Sequence, residues 1–535
     1  MKTMKARLLA LAACAAMTIG LAAGCSPSDP AGSGGAVDTE NPDLAAFPVS
    51  EETINLKVVL KTNPVNGDIE SMWFWEEMER LSNIHFEVQA IDMATFHDRK
   101  ALMIMSEQLP DMFLGYAEFD SGEVLKYGNE GVFIDLQDYV ADMPNLQKVL
   151  ATGGNNTLKT VTAPSGQIYS LPCFNTRGNP DTGTRAFINT QWLENLGLEM
   201  PTTLSELHDV LVAFRDRDPD GDGVNNTIPF SAVGWNFVEL FKHAYGYVSD
   251  FDVKDGKISY FPLTPEYVDY YDTLNRFYTE NLIDHEFYTQ SDDQFKAKAQ
   301  AMKVGMFVYS SIDIAVGDDE EKWSQYEAFM PVKADENTEA TWSLLDGVYP
   351  HAAILTKANQ HVEESLKFLD FLYTDTGTTM LRNGPEKGKW SGEGGWYYNE
   401  NGEVEIEPSP EFTNSWEYIN AVTPAINILP CWMPSATMEK GKGTPKDDYL
   451  TEQLARYEDV GRYILPEVMY TEEEAARINE IWPYLEAYVG GQVGNLIIGV
   501  KAVEEIPAMQ EQMRKIGAEE LLQIRQAAYD RYLNS

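Results

Sequence analysis

The sequence predicts an α/β fold in which helices cover a sheet of parallel strands. Segments with the alternation and β-branching of strands take turns with amphipathic helical segments along the first part of the chain. Strands are predicted at 54–60, 84–91 and 111–115, with helices at 69–81 and 95–106 between them. This strand–helix–strand order is typical of a parallel sheet with helices on both faces.

The same alternation continues through the rest of the chain. Thr203 and Glu206 have the spacing of a capping box, which predicts a helix that begins there and reaches about residue 215. The remaining predicted segments are strands at 186–189, 304–309 and 351–355, and helices at 362–373, 471–489 and 506–533.

The charge balance argues against nucleic-acid binding. The chain has 535 residues, with 84 acidic against 40 basic side chains and a formal charge of −44. Phosphate backbones need clustered Lys and Arg, which this balance does not favour. The same charge disfavours a polyanionic ligand such as a uronate polymer, because the two would repel at long range.

Catalytic motifs are missing from the sequence. It contains no His-Glu-x-x-His zinc motif, no Gly-x-Ser-x-Gly elbow and no Walker loop. Glycoside hydrolysis by two carboxylates stays an open alternative, since a chain with 84 acidic residues always offers some suitable pair. We therefore predict a binding protein and no enzyme.

The first 25 residues have the layout of a secretory signal. Lys2, Lys5 and Arg7 precede an apolar run over 8–23, and the segment ends in Leu-Ala-Ala-Gly before Cys25. Small residues before a cysteine resemble a bacterial lipobox, which implies a signal peptide at 1–24 and a lipid on Cys25. Residues 25–49 are rich in Ser, Pro, Gly and Ala and predict a flexible tether. The protein is then extracytoplasmic and held at the bacterial cell membrane by its lipid alone; the alternative is a soluble secreted protein.

Six segments, in this order, resemble family 1 extracellular solute-binding proteins, the group of the maltose- and alginate-binding proteins of ABC importers. The resemblance covers nearly all of residues 50–535. The segments are EQLPDMF (107–113), YGNEGVFIDL (127–136), SGQIYSLP (165–172), WLENLGL (192–198), SLKFLDFLY (365–373) and YTEEE (470–474).

The resemblance implies a two-lobe periplasmic-binding-protein-like fold (type II) with a ligand cleft between two α/β lobes. Lobe one comprises 50–173 and 347–428; lobe two comprises 177–346 and 430–535, including the C-terminal helices. Chain crossings fall near 173–177, 345–347 and 428–434. Cys173 and Cys431 then lie at two crossings, where they either pair as a disulfide or remain separate buried thiols.

The implied function is the capture of an oligosaccharide and its delivery to the ABC permease subunits of a membrane importer, by a monomer. A receptor of the same fold for a peptide or another solute, or a ligand-sensing partner of a membrane sensor, stays open. Aromatic stacking in the cleft would favour a sugar, whereas charged anchors for chain termini would favour a peptide.

An acidic loop after the helix from Thr203 predicts a structural calcium site. Carboxylates occupy positions 1, 3 and 5 of an EF-hand-like loop, Gly223 permits the turn at position 6, and the Glu expected at position 12 is Pro229. The alternative is a solvated acidic turn. The predicted Ca²⁺ ligands are Asp218, Asp220, Asp222, the carbonyl of Val224, and Asn226.

Candidate ligand-binding residues lie on predicted loops that the resemblance directs toward the cleft. Aromatic rings bind the apolar faces of sugars, and polar groups fix the hydroxyls. For each of them a place in the core or on the outer surface is the alternative. The candidates are Trp235, Trp432, Tyr349, His351, Trp396, Asn63 and Asn66.

Overall fold

A mixed six-stranded sheet and a four-stranded sheet form the framework of the protein. The computed structural model describes residues 41–62, 66–175, 185–390, 392–400, 402, 404–412, 415–433 and 445–535. The strands are β1 (Ile54–Thr62), β2 (Ile84–Asp92), β3 (Met112–Leu114), β4 (Leu171–Asn175), β5 (Arg185–Asn189), β6 (Ile228–Ala232), β7 (Phe251–Lys254), β8 (Lys257–Tyr260), β9 (Val304–Tyr309), β10 (Tyr326–Ala328), β11 (Trp342–Leu344), β12 (Val348–Leu355), β13 (Gly395–Tyr398), β14 (Val404–Glu407), β15 (Trp432–Met433) and β16 (Gly461–Tyr463).

Helices surround both sheets and form most of the C-terminal part. They are α1 (Trp73–Ser82), α2 (Phe96–Met105), α3 (Ser121–Asn129), α4 (Pro144–Ala151), α5 (Thr190–Leu196), α6 (Leu204–Asp216), α7 (Phe237–Ala244), α8 (Glu266–Thr279), α9 (Asp292–Gln300), α10 (Ile312–Val316), α11 (Glu320–Trp323), α12 (Val362–Phe371), α13 (Asp375–Asn383), α14 (Ser415–Val422), α15 (Pro445–Ala455), α16 (Glu472–Ile497), α17 (Ile506–Ile516) and α18 (Ala518–Asn534). None of these helices, within the described part of the chain, is long and apolar enough to cross a membrane.

The six-stranded sheet has the order β15-β4-β12-β3-β1-β2. Strand β1 runs parallel to β2 and β3, and β15 runs parallel to β4, but β12 is antiparallel to both of its neighbours. The parallel arrangement predicted for the first three strands is therefore confirmed, and the antiparallel strand β12 is an addition to it. That strand follows the second sheet in the chain, not a strand–helix crossover within this one, so the parallel-crossover rule does not apply to it.

Each of the two larger sheets has its own hydrophobic core. The first is built around Val58, Phe74 and Leu355, and the second around Phe187 and Met306. The C-terminal helices pack on the second core through side chains such as those of Ile481, Leu485, Met513 and Leu521. The predicted lobe boundaries remain a prediction, with one difference. Strand β15 falls in the section assigned to lobe two, yet it pairs with β4 in the first sheet.

The predicted tether extends too far along the chain. Leu44, Phe47 and Val49 are buried in the first core, and Asp43 accepts hydrogen bonds from Thr376. Burial of the apolar side chains of Leu44, Phe47 and Val49 stabilises the folded state. The packed part of the chain therefore includes residues that the sequence composition assigned to the tether.

The terminal helix predicted over 506–533 is two helices, α17 and α18. Gly517 separates them with a φ of +124°, a conformation that an L side chain rarely adopts. At the other predicted long helix, α16 continues past residue 489 to Ile497, through Gly490 and Gly491. Packing of Leu496 and Ile497 in the second core offsets the weak helix propensity of these glycines.

Candidate functional site

Loops and strand ends with large aromatic side chains meet at one edge of the six-stranded sheet. This edge, called here the first-sheet edge, holds the carboxyl ends of β1, β3, β4 and β15 and the amino end of β12. Open α/β sheets place ligands outside the carboxyl ends of their parallel strands. Tyr349 and Trp432, both predicted ligand-binding residues, lie on this edge in β12 and β15.

Tyr349 is in contact with Tyr116, a residue that the sequence prediction missed. The two rings meet edge to face, with centroids 5.1 Å apart and an interplanar angle of 74°. Both side chains are half-buried, so part of each ring faces solvent. Trp432 is half-buried as well, and its indole N–H has no hydrogen-bond partner among the described residues.

The turn after β3 sets the position of Tyr116. The Gly115 N–H donates to the Ala352 carbonyl at 2.8 Å, and the Tyr116 N–H donates to the Asn427 carbonyl at 2.9 Å. Gly115 has a φ of +128°, and a Cβ there would lie 2.8 Å from Glu118 Oε1. Only glycine fits this turn without strain, and the turn directs Tyr116 to the first-sheet edge.

Carboxylates surround Tyr116. Burial, followed by the charges of Glu467 and Asp346, raises the pKa of Tyr116 to about 12. Desolvation, then the charges of Asp120 and Asp346, also raises the pKa of Glu467, although this side chain still reaches solvent. The edge thus offers hydrogen-bond acceptors and negative charge.

His351, another predicted ligand-binding residue, is buried, unlike the half-buried aromatic side chains of this edge. Its side chain is 2% exposed, with Nε2 3.0 Å from Ser121 Oγ and Nδ1 2.7 Å from Ser170 Oγ. Its φ of +58° and the register shift in β12 between Tyr349 and Ala353 turn the side chain into the interior. The imidazole thus has internal partners at both ring nitrogens, and its ligand-binding role stays a prediction.

The remaining predicted ligand-binding residues of lobe one lie in three different surroundings. Asn66 is fully buried, and Asn63 lies outside the described residues, so a ligand contact stays a prediction for both. Trp396 lies on a separate hairpin of β13 and β14, opposite Ile406 and 5.7 Å from the ring of Tyr398. Its ligand-binding role stays a prediction.

The four-stranded sheet has a corresponding edge, called here the second-sheet edge, where β6 and β9 end and β5 begins. Trp235 follows β6, and its ring lies 5.2 Å from that of Phe287 and 5.1 Å from that of the exposed Tyr288. Tyr309 ends β9 and donates a 2.6 Å hydrogen bond to Asp292. Trp235 stays a predicted ligand-binding residue, and Tyr288 and Tyr309, which lie beside it on this edge or at the end of β9, were not among the candidates.

The acidic loop brings its three aspartates together. Carboxylate oxygens of Asp218, Asp220 and Asp222 all lie within 4.8 Å of one another. The Gly223 N–H donates to Asp218 Oδ2 at 3.0 Å, and the Val224 N–H donates to Asp222 Oδ1 at 2.7 Å. Oδ1 of Asp218 and Oδ1 of Asp220 are buried without a hydrogen-bond partner in the described part of the chain. Unpartnered oxygens on converging carboxylates suit a hard cation such as Ca²⁺.

One cation from a distant part of the chain already contacts this loop. Lys303 Nζ lies 2.6 Å from Oδ2 of both Asp220 and Asp222. Its hydrogen bond to Asp222 is the first cause of the lowered pKa of that carboxyl. Asn226, a predicted ligand, instead donates to Asp222 at 3.4 Å through its amide nitrogen. The sequence prediction did not include Lys303.

Cys173 and Cys431 are adjacent and buried. Their sulfurs lie 3.4 Å apart, which is a contact between thiols and not a disulfide bond. The predicted pairing therefore remains a prediction. The signal peptide and Cys25 lie outside the described residues.

Comparison with known proteins identifies the family. A profile of the family described as bacterial extracellular solute-binding protein matches residues 70–379. The chain belongs to this family. Among curated solute-binding proteins, it is 24% identical over 516 residues to the fructooligosaccharide ABC transporter substrate-binding protein FusA of Streptococcus pneumoniae serotype 4, covering 91% of this chain and 92% of FusA.

Solved solute-binding proteins share the fold over most of its length. An EF-hand mutant of S. pneumoniae FusA in complex with fructo-nystose has a TM-score of 0.76 at 23% identity, covering 90% of this chain and 99% of that one. An HMO-binding, ABC-transporter-associated solute-binding protein from Bifidobacterium longum infantis has a TM-score of 0.76 at 21% identity, with coverage of 90% and 99%. The predicted resemblance and the two-lobe α/β fold are therefore confirmed.

Proposed function

We propose that this protein is the substrate-binding component of an ABC importer, and that it captures an oligosaccharide between its two sheet edges for delivery to membrane permease subunits. The observation that carries the proposal is the aromatic first-sheet edge, with Tyr116, Tyr349 and Trp432. Rings of this kind cover the apolar faces of sugars, while neighbouring polar groups bind hydroxyls. The similarity to FusA, named for fructooligosaccharides, supports the same ligand class.

The charges at the first-sheet edge favour an uncharged sugar. Asp346 and Glu467 both lie near Tyr116, and each supplies carboxylate oxygens that accept hydrogen bonds from hydroxyls. A uronate chain would bring further negative charge to the same place. A peptide remains the second candidate class, because its terminal ammonium group could pair with these carboxylates.

Isothermal titration tests the proposal with kestose and nystose, galacturonate oligomers and short peptides as ligands. We expect saturable binding of a neutral oligosaccharide. Trp432→Ala should weaken binding tenfold or more, which corresponds to about 1.4 kcal/mol. The half-exposed Trp416 on α14 provides the matched control, and Trp416→Ala should bind as the wild type does. Binding of peptides alone would refute the sugar assignment.

A calcium ion held by the acidic loop completes the proposal. Asp218, Asp220 and Asp222, with the Val224 carbonyl, would hold the ion and pin the loop after α6, away from the ligand. The EF-hand named in the FusA structure supports this role. Calcium should raise the melting temperature of the wild type relative to a chelator. Asp220→Asn should remove this difference, and Asp209→Asn, at an exposed position of α6, should retain it.

The predicted secretory signal at residues 1–24 supports a location outside the cytoplasm. We propose that Cys25 carries the lipid that holds the monomeric protein at the outer face of the cell membrane. Membrane fractions should contain the wild type, and Cys25→Ala should appear in the medium or periplasm. Retention of that variant in the membrane would contradict the lipid anchor.

A further inference from the structure

Two buried thiols lie directly beneath the aromatic first-sheet edge. Cys173 in β4 and Cys431, which precedes β15, are 258 residues apart in the chain, and their sulfurs lie 3.4 Å apart. Both side chains are almost fully buried, at 0% and 1% exposure. The Phe174 N–H donates to the Cys431 carbonyl at 2.9 Å, so the two backbones are hydrogen-bonded neighbours at this point.

This arrangement is compatible with a disulfide without rearrangement of the sheet. Neighbouring strands lie about 4.8 Å apart, which falls within the range of Cα separations that disulfides span. A bonded pair of sulfurs lies about 2.0 Å apart, so the two Sγ atoms must approach by roughly 1.4 Å. Rotation about the two Cα–Cβ bonds supplies a movement of this size while the backbone hydrogen bonds remain.

We propose that Cys173 and Cys431 form a disulfide that stiffens the first-sheet edge. Each thiol loses one proton, and the two sulfurs together lose two electrons as the S–S bond forms. The oxidant is a disulfide, either a small molecule or an oxidoreductase, which takes up those two electrons and two protons and leaves as two thiols. The extracytoplasmic location that makes such an oxidant available rests on the proposed function.

The surroundings of the pair favour bond formation during folding. Burial raises the pKa of the Cys173 thiol well above its ordinary value, and the neighbouring Cys431 raises it further. Because the thiolate is the attacking species, exchange in the folded protein is slow. While the chain folds, the thiols are still accessible and the bond forms readily.

The bond would act on both aromatic candidates of the edge. Cys173 is the register partner of Tyr349 in β12, and Cys431 immediately precedes Trp432. The bond would link β15, which carries Trp432, to β4, which pairs with the Tyr349 segment of β12, and would so restrict the movement of the two rings relative to each other. A preorganised site binds more tightly because less conformational freedom is lost on binding. The oxidised protein should therefore bind its oligosaccharide several-fold more tightly than the reduced protein.

Peptide mapping tests the bond itself. The full chain is refolded with oxidised glutathione, denatured, alkylated without reduction and digested. We expect a linked pair of peptides containing Cys173 and Cys431, about 2 Da lighter than the two thiol peptides together, which dithiothreitol separates. Recovery of both cysteines as alkylated thiols, as glutathione adducts only, or linked only to Cys14 or Cys25, would overturn the proposal.

Measurements of melting temperature and of sugar binding test the effect of the disulfide separately from its formation. The melting temperature of the oxidised wild type should exceed that of the reduced protein by a few degrees, and the double variant Cys173→Ala, Cys431→Ala should show no such difference. Equal melting temperatures of the two wild-type forms would refute the stiffening. If the bond forms but no sugar binds in either form, the proposed function fails while the disulfide stands.

Discussion

Acidification should destabilise this protein through His351. The imidazole is buried between Ser121 and Ser170, and burial lowers its pKa from 6.5 to about 3. In this site the neutral ring donates to one serine oxygen and accepts from the other hydroxyl. The unfolded chain takes up a proton below pH 6.5, and the folded protein does not do so until about pH 3. Stability contributed by this group is therefore complete above pH 6.5 and is lost as the pH falls toward 3.

The size of the effect follows from the two pKa values. At about pH 5 the unfolded imidazole is almost fully protonated and the folded one is neutral, which favours unfolding by ~2 kcal/mol relative to neutral pH. Other groups also contribute to the pH dependence of the whole protein. Substitution of His351 isolates its own share, because the other groups remain in both proteins.

The assay is urea unfolding of the wild type and His351→Asn at about pH 7.5 and pH 5. Asparagine tolerates the φ of +58° at this position better than most residues, so the backbone can persist. The loss of stability between the two pH values should be ~2 kcal/mol smaller in the variant. His97→Asn, at an exposed position of α2, is the control and should behave as the wild type. An equal loss in the wild type and His351→Asn would refute the reasoning.

Substitutions at four further positions have defined outcomes. Lys303→Met removes the ammonium group that contacts Asp222 and should tighten calcium binding about threefold to tenfold by titration calorimetry, whereas Lys303→Arg keeps a cation there and should not. Gly305→Ala places a Cβ 2.5 Å from the ring of Phe214 and should lower the unfolding free energy by ~1–3 kcal/mol. Gly491→Ala in α16, where a Cβ meets open space, should raise the unfolding free energy by up to ~1 kcal/mol in the same urea titration. If both alanine variants changed the unfolding free energy equally, the clash at residue 305 and the open space at residue 491 would both be contradicted. Arg462→Met removes the 2.6 Å ion pair to Asp252 in β7 and leaves that buried carboxylate without its cation. We expect the unfolding free energy to fall by ~3–5 kcal/mol, measured as a lower urea midpoint.

Local patterns in the sequence predicted local structure well. The acidic loop was found because its three aspartates are two residues apart, so their convergence is a property of one turn. Lys303 could not be found in this way, since it is 81 residues from Asp222 and reaches the loop only through the pairing of β6 with β9. Its effect on ion affinity therefore depends on tertiary structure that no spacing rule reports.

The burial of His351 likewise depends on features that the sequence pattern does not report. In the sequence the residue begins a regular apolar strand near a predicted crossing, which favoured a place at the cleft. The structure starts that strand earlier, at Val348, and shifts its register before Ala353. From Tyr349 to Ala353 strand β12 advances four residues while β4 advances only two, from Cys173 to Leu171, so two extra residues bulge out of the pairing here. His351 lies within this bulge, and its φ of +58° directs the side chain to the interior. Neither the bulge nor the positive φ leaves a signature in residue type.

Tyr116 was missed although the sequence contained the information to find it. The rule that led to Asn63 and Asn66 directs attention to residues after the carboxyl ends of parallel strands. Strand β3 was predicted nearly correctly, and Tyr116 follows it after one glycine. The same rule applied to β3 would have named the residue that contacts Tyr349, whereas at β1 it named Asn66, which is fully buried. Strand ends therefore predict where a site lies, and the turn that follows each strand decides which side chain reaches it.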